Sequence, residues 1–416
     1  MTKNNMDPII KSLLDNDLYK FTMGYAVGKL FPNAKVRYTF ILRSKVGFPE
    51  GFANELRQQI SFMEGLRLTP EEKKFFSEKS YYIDPTYFDF LSGYKYDAWE
   101  VGVIQQGEEL QINIEGYWYR TILWEVPLLA LISELYFKMY SDRAEKYKQA
   151  PNDINVIEET FKIKSEGERH ENNQKKAAIF NYANIKVADF GTRRRFSYDV
   201  QKEMVEDLSN RMRKGLFVGT SNVHLAHLYN LTPIGTEAHE WFMFHAAKYG
   251  FQMANELGLK HWADVYNGSL GTALADTFTT EAFLKAFNMK YAKLYDGVRQ
   301  DSGDPFEFAD KFIAHYKKLG IDPLSKTIVF SDSLDPDTAK DIQNYCIGKI
   351  KCSFGIGTNL SNDVGVIPLN MVIKMSAAKP TPEDEWIPTI KLSDVDGKHT
   401  GDVKMIEVCK YLLNIK

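Results

Sequence analysis

Of the eight histidines in this 416-residue chain, His239 stands where an imidazole could do phosphoryl chemistry. It lies in the run Pro233-Ile234-Gly235-Thr236-Glu237-Ala238-His239-Glu240-Trp241, after a small-polar turn at Gly219-Thr220-Ser221-Asn222. Thr236 is a good N-cap residue, which predicts a long amphipathic helix with His239 at its third position. Free backbone N–H groups in a first helical turn seat anions. An imidazole there can attack or carry a phosphoryl group, and the helix end stabilises the charge. A histidine that simply packs under Trp241 fits the same local pattern, so the rest of the chain must decide.

Three further clusters share that character. Asp189-Phe190-Gly191-Thr192-Arg193-Arg194-Arg195 places a ring and consecutive guanidinium groups on a tight turn. Arginine can grip a carboxylate or phosphate in a fork, and the ring can stack on a planar ligand. Three arginines opening a helix oppose its dipole, which calls for an anionic partner. Gly297-Val298-Arg299-Gln300-Asp301-Ser302-Gly303-Asp304 adds an arginine and carboxylates that could orient it or hold magnesium through water. Asp304 also reads as a cap for a helix starting at Pro305. Ser353-Phe354-Gly355-Ile356-Gly357-Thr358-Asn359 is a small-residue loop of the kind that binds sugar phosphates in barrels, with Ser331-Asp332-Ser333 facing the same place. No Gly-x-x-x-x-Gly-Lys-Ser/Thr loop occurs, which excludes a P-loop.

The elements that must position these residues follow a rhythm from Ile185 onward. Seven strand-then-helix units succeed one another, with strands around 185–188, 216–218, 233–234, 272–275, 295–298, 327–330 and 351–354. Such a series calls for a parallel sheet closing into a (β/α) barrel. Every polar or Gly-rich cluster follows a strand, so all fall on the C-terminal rim, where barrels place their chemistry. Before this, residues 1–124 read as an N-terminal mixed α+β domain. It has an opening helix interrupted at Asp15-Asn16-Asp17-Leu18-Tyr19-Lys20 and capped by Asp15 or Asn16, then a half-buried strand at 35–43. Helices over 52–94, a hairpin at 99–114 and a closing apolar strand complete it. Residues 125–364 form the barrel domain, opened by a hydrophobic helix from Glu125 to about Tyr140, and 365–416 return to the N-terminal lobe. The charged stretch 141–177 reads as a solvated face.

Composition bounds the rest. A net charge of −3 and a pI of 6.3 give no bulk case for nucleic acid or anionic membrane. Cys346, Cys352 and Cys409 are too scattered for a disulfide framework, and no Cys/His metal cluster is evident. With no apolar signal core and no run near about 18 apolar residues, a cytoplasmic protein is expected.

Taken together, Asp17-Leu18-Tyr19-Lys20, Asp189 to Arg194, Gly219 to Asn222, Gly235-Thr236-x-Ala238-His239-Glu240-Trp241, Arg299 to Asp304 and Phe354 to Thr358 resemble the nicotinate phosphoribosyltransferase family, in the right order across nearly the whole chain. Trp124-Glu125-Val126-Pro127-Leu128 extends the match. The resemblance implies an irregular (β/α) barrel of the type II phosphoribosyltransferase kind, with its N-terminal α+β domain completed by the C-terminal segment. It implies that nicotinate and 5-phosphoribosyl 1-diphosphate give nicotinate mononucleotide and diphosphate, the first step of NAD salvage from nicotinate. ATP hydrolysis is coupled through a phosphohistidine at His239, as in the ATP-dependent ligase class, with Mg2+ on the diphosphate. Tyr19 and Thr236 would contact nicotinate, with Tyr19 open to delivery from a second subunit of a homodimer. Phe190 would stack on the pyridine, Arg299 would bind its carboxylate, and Arg193 is a further anion partner. Gly355, Gly357 and Thr358 would hold the ribose phosphate.

Rival readings are a nicotinamide or quinolinate phosphoribosyltransferase and a non-catalytic metabolite-binding relative. The first would not need an arginine for a ring carboxylate. The second would need another carboxylate clamp, and the third has no use for a phosphorylatable histidine. A barrel aldolase is disfavoured, because Lys293 and Lys351, expected in strands, lack partners for a Schiff base.

Overall fold

The computed structural model describes residues 7–148, 163–395 and 399–415. Its first sheet is antiparallel, built from β1 (Lys35–Leu42), β2 (Val101–Gln106), β3 (Glu109–Tyr117), β10 (Met371–Lys379) and β11 (Ile387–Pro388), in the order β11-β10-β1-β3-β2. The polar–apolar alternation of β1 is why it half-buries: Val36, Tyr38 and Phe40 point inward while Lys35 and Arg37 stay exposed. Strand β10 pairs with β1 along its whole length, with a bulge between Arg37 and Tyr38. The C-terminal segment therefore completes the N-terminal sheet.

The second sheet is parallel, with β4 (Val187–Asp189), β5 (Phe217–Thr220), β6 (Thr272–Leu274), β7 (Gly297–Gln300), β8 (Thr327–Phe330) and β9 (Lys351–Ile356) ordered β5-β4-β9-β8-β7-β6. This is the expected barrel with one strand reduced. Pro233-Ile234 contributes a single bridge to Thr220 in place of a strand. The gap between β5 and β6 is spanned by that segment: Ile234 N donates to Thr220 O at 2.9 Å, and Leu274 N donates to Glu237 Oε1 at 3.0 Å. A side chain thus stands in for a backbone ladder, which makes the barrel irregular.

Several local expectations change. Residues 118–124 are helical, not a strand, over Trp118–Thr121 and Ile122–Trp124. Trp118 and the consecutive residues Thr121, Ile122, Leu123 and Trp124 are all fully buried, with Tyr119 and Arg120 half-buried between them, a pattern that does not alternate as a half-exposed strand does. It runs directly into the helix Glu125–Lys148. The opening helix is Leu18–Leu30, preceded by Asp17, which makes no side-chain cap; Asp15 and Asn16 are committed to tertiary bonds instead. Lys293 lies in the helix Met289–Leu294, while Lys351 is an exposed residue of β9. The long helix after Thr236 is two helices, His239–Tyr249 and Phe251–Tyr266, broken at Gly250, whose φ of 83° favours glycine. Part of the charged stretch at 141–177 lies outside the described residues; its later part forms Glu166–Tyr182, opened by a Ser165/Glu168 capping box. Among the described residues, no helix is long and apolar enough to cross a membrane.

Candidate active site

The C-terminal ends of the parallel strands open into a cavity of about 430 Å³, covered on its far side by the antiparallel sheet. Phe190, Arg193, Arg299, Gly355, Gly357 and Thr358 all line it. A narrower inner chamber continues from it, sharing Arg193, Arg299, Asp301 and Lys374, and ends at Tyr19 and His239. Folding thus gathers eight of the nine candidates around one continuous space. The ninth, Thr236, is half-buried three residues before His239 and lines neither chamber; its carbonyl accepts from Thr22 Oγ1 at 2.8 Å.

Each candidate is held for a local reason. Asp189 ends β4 and organises the turn after it, accepting from Gly191 N, Gln201 Nε2 and Thr220 Oγ1 at 2.8–2.9 Å. Burial pushes its carboxyl up to about 6 against those bonds. The turn presents Phe190, whose ring lies on Gly355: a Cβ there would stand 2.2 Å from it. Gly355 is therefore required by the ring's position.

The three arginines do not open a helix together. They sit on and after the short 3-10 turn Thr192–Arg194, and the next helix begins at Tyr198, capped by Ser197. Arg195 turns inward to Asp15 at 2.7 and 2.9 Å, both side chains fully buried. Its anion is internal. Arg193 and Arg194 face the cavity.

Tyr19 lines the inner chamber of its own chain. Its segment is anchored to the turn after β5: Leu18 N donates to Ser221 O, and Ser221 Oγ to Asp17 Oδ1, each at 2.7 Å. The neighbouring Lys20 is buried between Glu125 and Glu240 at 2.5 Å each, and Tyr38 Oη donates to Glu240 Oε2 at 2.7 Å. This group joins the opening helix, the antiparallel sheet and the helix that carries His239.

His239 is the first residue of its helix, not the third, because Gly235 to Ala238 stay outside the helix and Glu237 reaches into the barrel gap; Ala238 is the N-cap. Its Nδ1 is 3.0 Å from Thr277 Oγ1, and its Nε2 lies 2.9 Å from Asp301 Oδ2 and 2.8 Å from Lys391 Nζ. Burial, then the Lys391 cation, push the imidazole down to about 4, so the ring is neutral near pH 7. Arg299 is held by Ser331 Oγ and Asp301 Oδ1, each at 2.9 Å, which uses two of its five N–H donors. Asp301 is pulled well below the usual carboxylate range: burial opposes ionisation, and Arg299 and His239 overcome it.

Sequence reasoning did not find Lys374 and Lys391. Lys374 lies on β10 and lines both chambers; burial, then Lys391, lower its ammonium to about 8. Lys391 is flanked by the fully buried Ile390 and Leu392 and is itself 8% exposed. In the sequence Ile390-Lys391-Leu392 alternates as a half-exposed strand would, so no local signal marked the lysine as buried. Its segment is fixed to the rim where Leu392 N donates to Thr277 O at 2.9 Å and Thr280 N to Asp394 Oδ1 at 2.7 Å.

His239, Asp276 and Asp301 offer ligand atoms within 4.8 Å of one another. The Lys391 ammonium stands among them, 3.5 Å from Asp276 Oδ2, so the charge a cation would supply comes from the protein itself. These residues do not fit a dedicated magnesium cage. The cavity suits an anion: Arg43, Arg193, Arg194, Arg299, Lys374 and Lys391 outnumber the facing carboxylates Asp301 and Asp332.

Comparison with known proteins agrees with this architecture. A model described as the nicotinate phosphoribosyltransferase (NAPRTase) family matches residues 185–410, and one for the NAPRTase N-terminal domain matches residues 14–133. A nicotinate phosphoribosyltransferase from Chromohalobacter salexigens is 51% identical over 97% of this chain and 98% of its own. The crystal structure of nicotinate phosphoribosyltransferase from Porphyromonas gingivalis superposes with a TM-score of 0.89 at 44% identity, covering 98% of this chain and 100% of that one. A putative nicotinate phosphoribosyltransferase from Saccharomyces cerevisiae gives a TM-score of 0.88 at 34% identity, covering 99% and 100%.

Proposed function

The chain belongs to the nicotinate phosphoribosyltransferase family, and from that premise we propose that it joins nicotinate to 5-phosphoribosyl 1-diphosphate, giving nicotinate mononucleotide and diphosphate for NAD biosynthesis. The observation that carries this reading is the single cavity shared by Phe190, Arg299, Thr358 and, at its closed end, His239. Phe190 offers a face for the pyridine ring, and the remaining Arg299 donors suit its carboxylate. Gly355, Gly357 and Thr358, at the start of the turn Thr358–Ser361, suit the ribose 5-phosphate. Tyr19 closes the inner end beside Arg193.

The bond from C1 of the ribose to the diphosphate oxygen breaks as the pyridine nitrogen bonds to C1, through an oxocarbenium-like state. The protein positions the reactants and stabilises the leaving diphosphate. Arg193, Lys374 and Lys391 supply fixed positive charge for that. Magnesium would be carried by the phosphate-bearing substrates and would offset their charge.

The coupling to ATP goes through His239. A neutral imidazole nitrogen attacks the γ-phosphorus, the P–N bond forms, and the bond to ADP breaks. Water later cleaves the phosphohistidine, releasing phosphate. The extra negative charge beside the sugar-phosphate pocket shifts the balance of substrate and product binding. The enzyme thereby falls in the ATP-dependent ligase class. We also propose a cytoplasmic homodimer.

The test is mononucleotide formation from nicotinate and phosphoribosyl diphosphate, with and without Mg·ATP, alongside γ-labelled ATP. Product that rises with ATP, with acid-labile label lost in His239→Ala, is expected. No product with either nicotinate or nicotinamide, and no label, would leave a non-catalytic binder as the better reading.

A further inference from the structure

Away from the cavity, the helix Pro70–Lys79 of the N-terminal lobe packs on the short helix Val223–Leu228 behind the barrel rim. At this contact Glu72, His224 and His227 each offer one ligand atom, all within 4.8 Å of one another. Nδ1 of His224 and Nδ1 of His227 are both buried with no hydrogen-bond partner. Glu72 Oε1 lies 3.6 Å from His224 Nδ1, beyond hydrogen-bonding range. Two unpartnered imidazole nitrogens at one contact need a common explanation. We propose that Glu72, His224 and His227 form a binding site for a divalent transition metal of the zinc class, separate from the phosphoribosyl-transfer site.

The donor set fits such an ion. Two imidazoles and a carboxylate are ordinary zinc ligands, with water completing a tetrahedron. Ligand atoms of a tetrahedral zinc lie roughly 3.3 Å apart, close to the spacing between Glu72 and His224. His224 and His227 are three residues apart on one helix and so share a face. The other nitrogen of His224, Nε2, is 3.1 Å from Tyr198 Oη, so its N–H can donate there and leave the Nδ1 lone pair for the metal. Glu72 is oriented too, accepting from Ser12 Oγ and, at 3.0 Å, from Thr69 N.

A second cluster, His170, Glu203 and Asp207, shows the contrast. There His170 Nδ1 is 2.6 Å from Asp207, Arg169 Nη2 is 2.7 Å from Glu203, and Asn173 and Arg211 also bond Asp207. Its donors are already satisfied within the protein. At the proposed site a metal would staple the N-terminal lobe to the loop whose Ser221 and Asn222 hold Asp17 and Asp15.

The test is titration of the chelator-stripped full chain with Zn2+ and with Co2+, in phosphate-free buffer. Wild type should bind one equivalent that gives the visible absorption of tetrahedral Co2+, and Zn2+ should raise its melting temperature. His227→Ala, a half-buried position, should fold, lose that equivalent and the melting shift, and keep its metal-stripped stability. Glu72→Gln, which replaces a carboxylate ligand by a neutral amide, should weaken binding. The proposal is overturned if wild type binds no such equivalent, or if His227→Ala binds it with the same spectrum.

Discussion

The Lys391 ammonium lies 2.8 Å from Nε2 of His239, the same nitrogen that Asp301 Oδ2 approaches to 2.9 Å. A cation and a carboxylate cannot both be satisfied by one imidazole nitrogen. Lys391 requires its lone pair, whereas Asp301 requires its proton. Residues from β7's rim loop and from the C-terminal segment therefore compete for the protonation pattern of the candidate nucleophile.

Removing the cation should change that competition. Burial and Lys391 hold the His239 imidazole near 4, so in Lys391→Met its pKa should rise towards the ordinary value of about 6.5. The imidazolium would then accumulate as pH falls below the new value. NMR titration of the His239 ring would show the shift, and an unchanged titration would refute the role assigned to Lys391.

Lys374 makes a pH prediction of its own. With its ammonium lowered to about 8, it is charged below that pH and neutral above it. Affinity for phosphoribosyl diphosphate should be highest below pH 8 and fall as pH rises through it. In Lys374→Arg, which stays charged, the fall near pH 8 should disappear. The pH profile of kcat/KM for phosphoribosyl diphosphate reads both.

Arg299 should set selectivity for a ring carboxylate. A charge-assisted hydrogen bond contributes roughly 1.5–3 kcal/mol, so Arg299→Met should raise KM for nicotinate about 10- to 150-fold. Any slow use of nicotinamide should change far less. Parallel steady-state kinetics with the two pyridines check this, and an equal loss for both would remove Arg299 from this role.

Gly355→Ala tests the stacking face. The new Cβ would overlap the Phe190 ring and force it into the cavity. Loss of one aromatic contact is worth about 0.5–1.5 kcal/mol, so KM for nicotinate should rise about 2- to 10-fold. Adding Phe190→Ala should then cost little more; a fully additive double variant would argue against the ring contact.

The Arg195–Asp15 pair is a stability prediction. Burial opposes ionisation of Asp15, and Arg195 overcomes it, holding the carboxyl below its usual range. Its stabilisation is present above the unfolded carboxylate pKa of about 3.9 and is lost as pH falls through the lower folded value. Arg195→Met leaves a buried carboxylate unpaired and should cost roughly 3–5 kcal/mol at pH 7, measured by urea unfolding. A cost near zero would show that the pair is dispensable.

The strand-then-helix rhythm from Ile185 determined the barrel and its active rim, since apolar strands followed by polar turns are local patterns. Phe190, Arg299 and Thr358 were legible for the same reason: each lies at or within two residues of the C-terminal end of a strand. The helix start at Thr236 was misread because nothing local reveals that Glu237 must fill the gap between β5 and β6. Lys374 and Lys391 were invisible because their segment gains a function only when β10 pairs with β1, more than 300 residues away, and lays its lysines over the rim. Sequence alone determined which chemical groups each loop carries, because that depends on neighbours along the chain. Only the tertiary structure decided their charge states, because burial and the approach of distant cations set the His239 and Lys374 equilibria.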